Sequence, residues 1–426
     1  MINFKVFNNK SIEDITSEEL KEIYFQEFNM PKLVFGSDAI ENLSQVLFKT
    51  IPYQKVLFVS TRTPYGLYGE RVIDSIISAK NSLNEFIFES SVTGNYSEAK
   101  QVIDCAEENT KAIVVLGGGS VIDICKYAAN KLNIILIVIP TTLSASAVTD
   151  YGFITNGANE KLNSYKLKCA DYVLVDTMII TALSDKFTAA GYGQFVCQLL
   201  SLFNTNYVKI MQNQNSYAYC KTVKECFTLL PQINESLLLG SLSVNLTLIQ
   251  CLYACAITNN SGLISDDVCL ALNLKSTGRL LGENMFLSSV FLSKIYSIFF
   301  AQSAFKYKNF TDVIGYLEKN NQIDFLASNI SSVKCYKAEI EKLELAIYKL
   351  VEFNAEFKSE ADYLCEIIMK CFKVFKRIYG DSGYSVLRSL TENMLKKALL
   401  EVESSSSIIS PLFQIKNFGL IEEFCG

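Results

Sequence analysis

The sequence predicts an α/β N-terminal part, a Rossmann-like parallel sheet wound with helices, followed by an all-α C-terminal part. Three observations predict it. Short apolar runs alternate with helix-patterned segments between residues 32 and 175, the signature of a doubly wound parallel sheet. One of those runs, Ala112–Leu116, is cut off by Gly117, Gly118 and Gly119, after which a helical pattern starts at once. From Ser184 onward, long apolar helical patterns dominate, separated by Asn, Gly and Ser, with only Pro231 and Pro411 among prolines.

Taken in order, residues 1–30 read as a polar N-terminal extension with a helix near Ser17–Phe28, opened by Thr16-Ser-Glu-Glu19. Lys32–Phe35 reads as a strand and Ala39–Phe48 as a helix. Lys55–Val59 is a second strand, followed by a loop and a helix around Gly69–Lys80. Asn84–Phe88 is a strand and Tyr96–Asn109 a helix. Ala112–Leu116 and Asn133–Ile139 read as strands buried on both faces, because their apolar runs are unbroken. Val148–Thr155 suggests a hairpin, and Tyr172–Val175 a last strand. This gives a Rossmann-like sheet domain over 31–183, a helical domain over 184–403 and a C-terminal tail over 404–426. Ser404–Ser407 forms the joint before that tail. No internal repeat is apparent.

A strand, a glycine turn and a helix leave free backbone N–H groups at the helix N-terminus, where the macrodipole also favours an anion. Glycines let a phosphate approach the backbone and tolerate positive φ. A tight connection with no ligand would need one glycine rather than three followed by Ser120. Ligands of such sheets lie beyond the carboxyl ends of the strands, which puts Gly117–Ser120 beside the segment after Ile139.

Composition narrows the partners. The 426 residues are 50% hydrophobic and 19% charged, with a formal net charge of −5 and no basic run, which argues against nucleic acid. No signal-peptide core opens the chain, and no uninterrupted apolar window reaches a membrane span, although Ser289–Ala301 is strongly apolar. Thirteen cysteines without a C-x-x-C pair read as buried thiols in a reducing cytoplasm. There is no histidine, so any chemistry must proceed without imidazole.

Several motifs in order resemble the iron-containing alcohol dehydrogenase superfamily, which includes glycerol dehydrogenases, glycerol-1-phosphate dehydrogenases and dehydroquinate synthases. They are Pro31-Lys-Leu-Val-Phe-Gly36, Gly117-Gly-Gly-Ser-Val-Ile-Asp-Ile-Cys-Lys126 and Pro140-Thr-Thr-Leu-Ser-Ala-Ser-Ala-Val-Thr149 with Ile154-Thr155 beyond. Asp171–Asp176 and Leu183–Gly191 complete the series; the likeness spans roughly residues 31–390. It implies a dehydroquinate synthase-like fold, with hydride transfer between NADP(H) or NAD(H) and a small alcohol or aldehyde. A homo-oligomer is implied as well.

By that resemblance, Gly117, Gly118, Gly119 and Ser120 take the pyrophosphate. Thr141, Thr142, Ser144 and Val148 lie along the phosphates and nicotinamide ribose. Asp123 and Lys126 line the nicotinamide region or form a solvated i,i+3 ion pair. Ser60, Thr61 and Arg62 stand where members specific for NAD carry an acidic residue. Arg62 suits a 2′-phosphate, and so NADP(H), or is an ordinary surface cation.

The family's metal ligands, an Asp and three His, fall on Gln194, Gln198, Asp267 and Leu281. Leu donates nothing and Gln is a weak neutral ligand, so no metal is expected. Cys197 and Cys269, beside these positions, read as buried structural thiols. Without a metal, an alternative electrophile or proton donor falls to Lys126, Lys168, Tyr192 or Arg279 near the presumed cleft. A catalytically degenerate relative, kept for nucleotide or protein binding, is the competing expectation.

Overall fold

The structure is a computed structural model that describes residues 30–155, 162–211, 217–258, 266–274, 279–302 and 355–378. The N-terminal extension with its Ser17–Phe28 helix, and the tail with Ser404–Ser407, lie outside the described residues.

Six strands form one parallel sheet in the order β1-β8-β5-β4-β2-β3. They are β1 (Lys32–Gly36), β2 (Lys55–Thr61), β3 (Ser82–Phe88), β4 (Thr110–Gly117), β5 (Ile135–Pro140) and β8 (Tyr172–Asp176). The crossovers are α1 (Ala39–Thr50), α2 (Arg62–Ser78), α3 (Tyr96–Cys105) and α4 (Gly119–Leu132). Unbroken apolar runs are the cause of the central position of β4 and β5: Ala112–Leu116 and Leu136–Ile139 are buried residue by residue, so both faces need cover. On one face Ile40, Leu43 and Leu47 of α1, with Val72 and Ile76 of α2, pack on Val56, Phe58, Val114, Leu116, Ile137 and Ile139. Arg71 of α2 fixes that layer, bonding Glu41 through two nitrogens (2.8 and 2.9 Å) and the buried Asp176 at 2.8 Å.

Local chemistry moved several predicted boundaries. Helix α2 begins at Arg62 directly after β2, with no loop between; Pro64 falls in its first turn, where a missing N–H costs nothing. Helix α3 stops at Cys105 rather than Asn109, and Asn133 is not strand but the left-handed cap of α4, at φ 53°. The hairpin is β6 (Tyr151–Thr155) against β7 (Leu162–Lys166), antiparallel, with its second strand missed by the sequence pattern. A 3₁₀ turn at Ala145–Ala147 precedes it.

The helices that follow are α5 (Thr177–Thr181), α6 (Asp185–Met211), α7 (Tyr217–Leu238), α8 (Val244–Thr258), α9 (Asp266–Asn273), α10 (Leu281–Gln302) and α11 (355–378). The described chain divides into two compact units. One holds the described residues up to Phe195 with those of Lys224–Gly262; the other holds those of Val196–Val223 and Leu263–Gly426. The chain thus passes between units within α6, whereas the sequence suggests a single boundary near Leu183. In the first unit, Asn245 of α8 donates to Ile180 O and Thr188 Oγ1, both at 3.2 Å, tying helical residues to the end of the sheet domain. In the second unit Phe203, Tyr207, Tyr296, Phe300 and Phe357 form an aromatic core, and Phe286 stacks on Phe375 at 4.2 Å. Among the described residues, α10 alone is long and apolar enough to cross a membrane, where no uninterrupted window was expected. Two thirds of its apolar window is buried inside the protein, as in a core helix.

Candidate functional site at the carboxyl edge of the sheet

The strand order sets where a ligand fits. The connection leaving β2 runs outward to β3, while that leaving β4 runs the other way to β5. A crevice forms at such a switch point, beyond the carboxyl ends of β2 and β4. The predicted stretches Ser60–Arg62 and Gly117–Ser120 therefore flank one crevice. Gly117 pairs with Pro140 across β4 and β5, and Thr141 N–H donates to Gly117 O at 3.0 Å, which places the Pro140–Ser144 segment beside the turn.

At the turn, Gly118 is the N-cap of α4 with φ −88° and ψ −178°, and no side chain caps the helix. The first-turn N–H groups of an α-helix have no internal partner, so here they remain available at the positive end of the dipole. Ser120 is exposed and Gly118 and Gly119 are half-buried, so these groups face the crevice. None of the three glycines takes a positive φ; close packing is what requires them. A Cβ on Gly117 would lie 3.0 Å from Val121 Cγ1, on Gly118 3.2 Å from Thr142 Oγ1, and on Gly119 2.7 Å from Ser144 Oγ. The expectation that positive φ explains them is corrected: side chains of the following helix and loop occupy the space a Cβ would need. The cradle fits the pyrophosphate of a dinucleotide, an anion needing backbone donors and no intervening side chain.

The neighbouring side chains divide sharply. Ser60 is buried, and its hydroxyl donates to Leu116 O at 2.8 Å, joining β2 to β4 instead of facing the crevice. Thr61 is half-buried, and Arg62 is exposed with Glu89 at 3.7 Å, each more than four-fifths open to solvent. Thr141 and Thr142 are half-buried at the rim; Ser144 and Val148 are buried, and Ser144 Oγ caps the 3₁₀ turn through Ser146 N–H at 3.3 Å.

Asp123 and Lys126 are neither solvated nor at the surface. Lys126 is fully buried and donates to Ser146 O at 2.5 Å, Tyr151 O at 2.9 Å, Thr149 O at 3.0 Å and Thr149 Oγ1 at 3.3 Å. Asp123 lies 3.9 Å from it and accepts from Ser146 Oγ at 3.3 Å. Burial pushes the Asp123 carboxyl up to about 6, against the pull of Lys126, the Phe153 N–H and Ser146. Burial likewise lowers the Lys126 pKa, opposed chiefly by Asp123. The predicted solvated ion pair is thus a buried one, because the 3₁₀ turn and β6 fold over α4 and offer carbonyls to the ammonium.

The other predicted proton donors are also engaged elsewhere. Tyr192 is fully buried and donates to Asn234 Oδ1 at 2.7 Å. Lys168 pairs with Asp171 at 2.7 Å, and its backbone N–H donates to Asn130 near the C-terminal end of α4. It lines a cavity with Thr110, Ile134 and Ile135 at the amino ends of the strands, opposite the glycine turn, so its predicted place near the cleft is corrected. Arg279 belongs to the other unit; burial lowers its pKa while Glu283 raises it.

The four positions expected in place of the family's metal ligands divide between the two units. The Gln194 amide oxygen accepts from Ala145 N–H at 3.1 Å, within the first unit. Gln198, buried, and Leu281, half-buried at the start of α10, belong to the second unit, as does Asp267 on α9, whose side chain lies outside the described residues. The Gln194 amide oxygen is already bonded to backbone, and Leu281 has no donor atom to offer a metal. Cys197 is buried; the Cys269 side chain lies outside the described residues.

One rim residue was overlooked. Gly94 has φ +78°, a Cβ there would lie 3.5 Å from Phe153 O and 3.9 Å from Ser120 Cβ, and its carbonyl accepts from Thr155 N–H at 2.8 Å. The signal was present: Asn95-x-x-Glu98 is a capping box, and a glycine just before such a box marks a turn.

Residues 34–183 match the family model described as iron-containing alcohol dehydrogenase. A glycerol-1-phosphate dehydrogenase (NAD(P)+) of Metallosphaera sedula is 26% identical over 183 residues, 42% of this chain and 51% of that protein. A 3-dehydroquinate synthase of Lactococcus lactis subsp. cremoris is 26% identical over 180 residues, 40% of this chain and 50% of that one. The chain thus spans about half the length of the curated relatives it matches. Among solved structures, the alcohol dehydrogenase from Oenococcus oeni aligns with TM-score 0.63 at 14% identity, covering 93% of this chain and 98% of that one. The glycerol dehydrogenase from Schizosaccharomyces pombe aligns with TM-score 0.57 at 12% identity, covering 94% and 91%. At such identities these structures speak for a shared fold. Over residues 34–183 the chain is similar in sequence to the iron-containing alcohol dehydrogenase family, and over most of its length it shares the fold of these solved structures.

Proposed function

We propose that the chain is a nicotinamide-dinucleotide-dependent oxidoreductase of the iron-containing alcohol dehydrogenase type. It exchanges hydride with a small alcohol or aldehyde and works without a divalent metal. The observation that carries this reading is the uncapped N-terminus of α4 at the switch point, with Gly118 as its N-cap and Thr142 beside it. The backbone N–H groups that open α4, with Ser120, would hold the pyrophosphate, and Thr141 and Thr142 the adjoining phosphates and ribose. Arg62 would meet a 2′-phosphate in competition with Glu89, which favours NADP(H) over NAD(H). When bound, the nicotinamide supplies or accepts the hydride. Gln194 holds the Ala145 backbone, and Lys126 holds Ser146, Thr149 and Tyr151; together they keep the segment after β5 in one shape beside the place a cofactor would take. A cytoplasmic homo-oligomer, with no membrane or nucleic-acid partner, completes the reading; light scattering on the purified chain checks the assembly.

A specific observation favours a second reading, a relative that binds the dinucleotide without turnover. Lys126, Tyr192 and Lys168 all have their donors committed within the protein. Titration with NADPH and NADH, followed by turnover assays on short alcohols and aldehydes in chelator-treated buffer, separates the two. Binding with chelator-insensitive turnover supports the enzyme. Binding without turnover leaves the second reading, and no binding of either nucleotide overturns both.

A further inference from the structure

The helical part of the first unit holds a cluster that the dinucleotide reading does not use. Cys251 and Cys255 lie one turn apart on α8 and so share a face. Cys226 reaches them from α7. All three are fully buried. The Sγ atoms of Cys226 and Cys255 are 3.4 Å apart, a contact in which either can donate, and Cys251 hydrogen-bonds to Cys226 as well. The trio is not arranged to hold a metal ion. What the arrangement does is favour one sulfur over the others. Hydrogen bonding with Cys251 and Cys255 lowers the Cys226 pKa, while burial and the Cys226 contact raise those of Cys251 and Cys255. The first proton therefore leaves Cys226, and the nucleophilic thiolate forms beside a thiol that can close on it.

We propose that Cys226 and Cys255 are a hydroperoxide-oxidisable pair that closes into a disulfide between α7 and α8. The Cys226 thiolate attacks one peroxide oxygen, the O–O bond breaks, and the leaving hydroxide takes a proton to become water. Cys226 is then a sulfenic acid. The Cys255 sulfur attacks it, the S–O bond breaks as the S–S bond forms, and the Cys255 proton leaves with the hydroxyl as a second water. Two thiols are oxidised by two electrons and one peroxide is reduced to two waters. Closure from the 3.4 Å contact to a bond of about 2.05 Å requires an approach of about 1.4 Å, within the reach of side-chain rotation. Full burial restricts the oxidant to a small neutral molecule such as a hydroperoxide and excludes a charged tripeptide disulfide.

The test treats the full chain with hydrogen peroxide, quenches it with catalase, alkylates under denaturing conditions and maps the peptides. The expected result is a Cys226–Cys255 linked peptide that dithiothreitol reverses, with both residues lost from the alkylated pool. Oxidised glutathione at the same equivalents leaves both alkylated. Cys251→Ser retains the link, and Cys226→Ser and Cys255→Ser each remove it. Full alkylation of Cys226 and Cys255 after peroxide overturns the proposal, as does a link from Cys226 to Cys251 or equal reaction with oxidised glutathione. Because the peptide map of the unaltered chain decides, a variant that fails to fold does not weaken the test.

Discussion

The turn after β4 and the segment after β5 lie side by side, yet they treat their polar groups in opposite ways. At Gly118–Ser120 the backbone donors face the crevice and no side chain caps them. Over Ala145–Tyr151, Lys126 occupies three carbonyls and the Gln194 amide accepts the Ala145 N–H. One region leaves its backbone donors without a side-chain partner, and the other uses its polar groups to hold its own shape. The difference teaches that a polar residue inside a binding motif becomes a ligand candidate only once its internal bonds are counted.

The sharpest way to break this comparison is Lys126→Met. It removes the ammonium from three carbonyls and leaves the Asp123 carboxyl buried without its cation. Unfolding free energy should fall by about 3–5 kcal/mol, read from denaturant midpoints. A loss below about 1 kcal/mol would mean that the segment is held by other contacts.

A pH series sharpens the same point. Asp123 keeps its proton to about pH 6 in the fold but loses it near 3.8 when unfolded. The native state therefore binds more protons between those values, and stability falls as pH rises through the window. The contribution is complete below about pH 3.8 and gone above about pH 6, a change of about 3 kcal/mol. Asp150, also raised by burial, adds to the same slope. Asp123→Asn should flatten most of it; an unchanged slope between pH 4 and 6 would assign the titration elsewhere.

On the open side, Gly118→Val sets a side chain against Thr142 and into the cradle. Dinucleotide affinity should drop on the order of 100-fold, or about 2.7 kcal/mol, in a variant whose circular dichroism is native. A folded variant that binds as tightly as the parent chain would remove the turn from the site. The smallest effect belongs to Arg62→Ala. NADPH should weaken by roughly 3- to 10-fold with NADH unchanged, while stability stays within about 0.5 kcal/mol, because the Arg62–Glu89 pair is exposed.

Much of the sheet was legible because its signal is local. Apolar runs such as Val56–Val59 and Ile113–Leu116 are continuous where both faces are covered, and each is a strand. The candidate site was legible where it is made of backbone, since consecutive glycines between a strand and a helix show in one window of sequence. It was illegible where side chains decide. Lys126 and Asp123 fit a nicotinamide-lining role and a surface pair equally well by spacing, because spacing does not reveal which segment folds over them. Lys168 stands one residue from Cys169, which is buried under Val148, yet its own side chain points to the amino edge. Nothing local marks which end of a sheet a loop residue will join.

The sequence by itself determined the alternation of strands and helices, the place of the glycine turn, the helical character of the described residues beyond Thr177 and the absence of imidazole. These depend on periodicity, on residues without a Cβ and on composition, all of which act within a few positions of the chain. Tertiary structure alone decided the burial of Lys126, the inward turn of Ser60, the bond between Gln194 and Ala145, and the meeting of Cys226 with Cys255. Each is a contact between residues 20 to 56 positions apart. Their partners are chosen by the packing of whole helices on the sheet, and the free energy of each polar group depends on which partners that packing delivers.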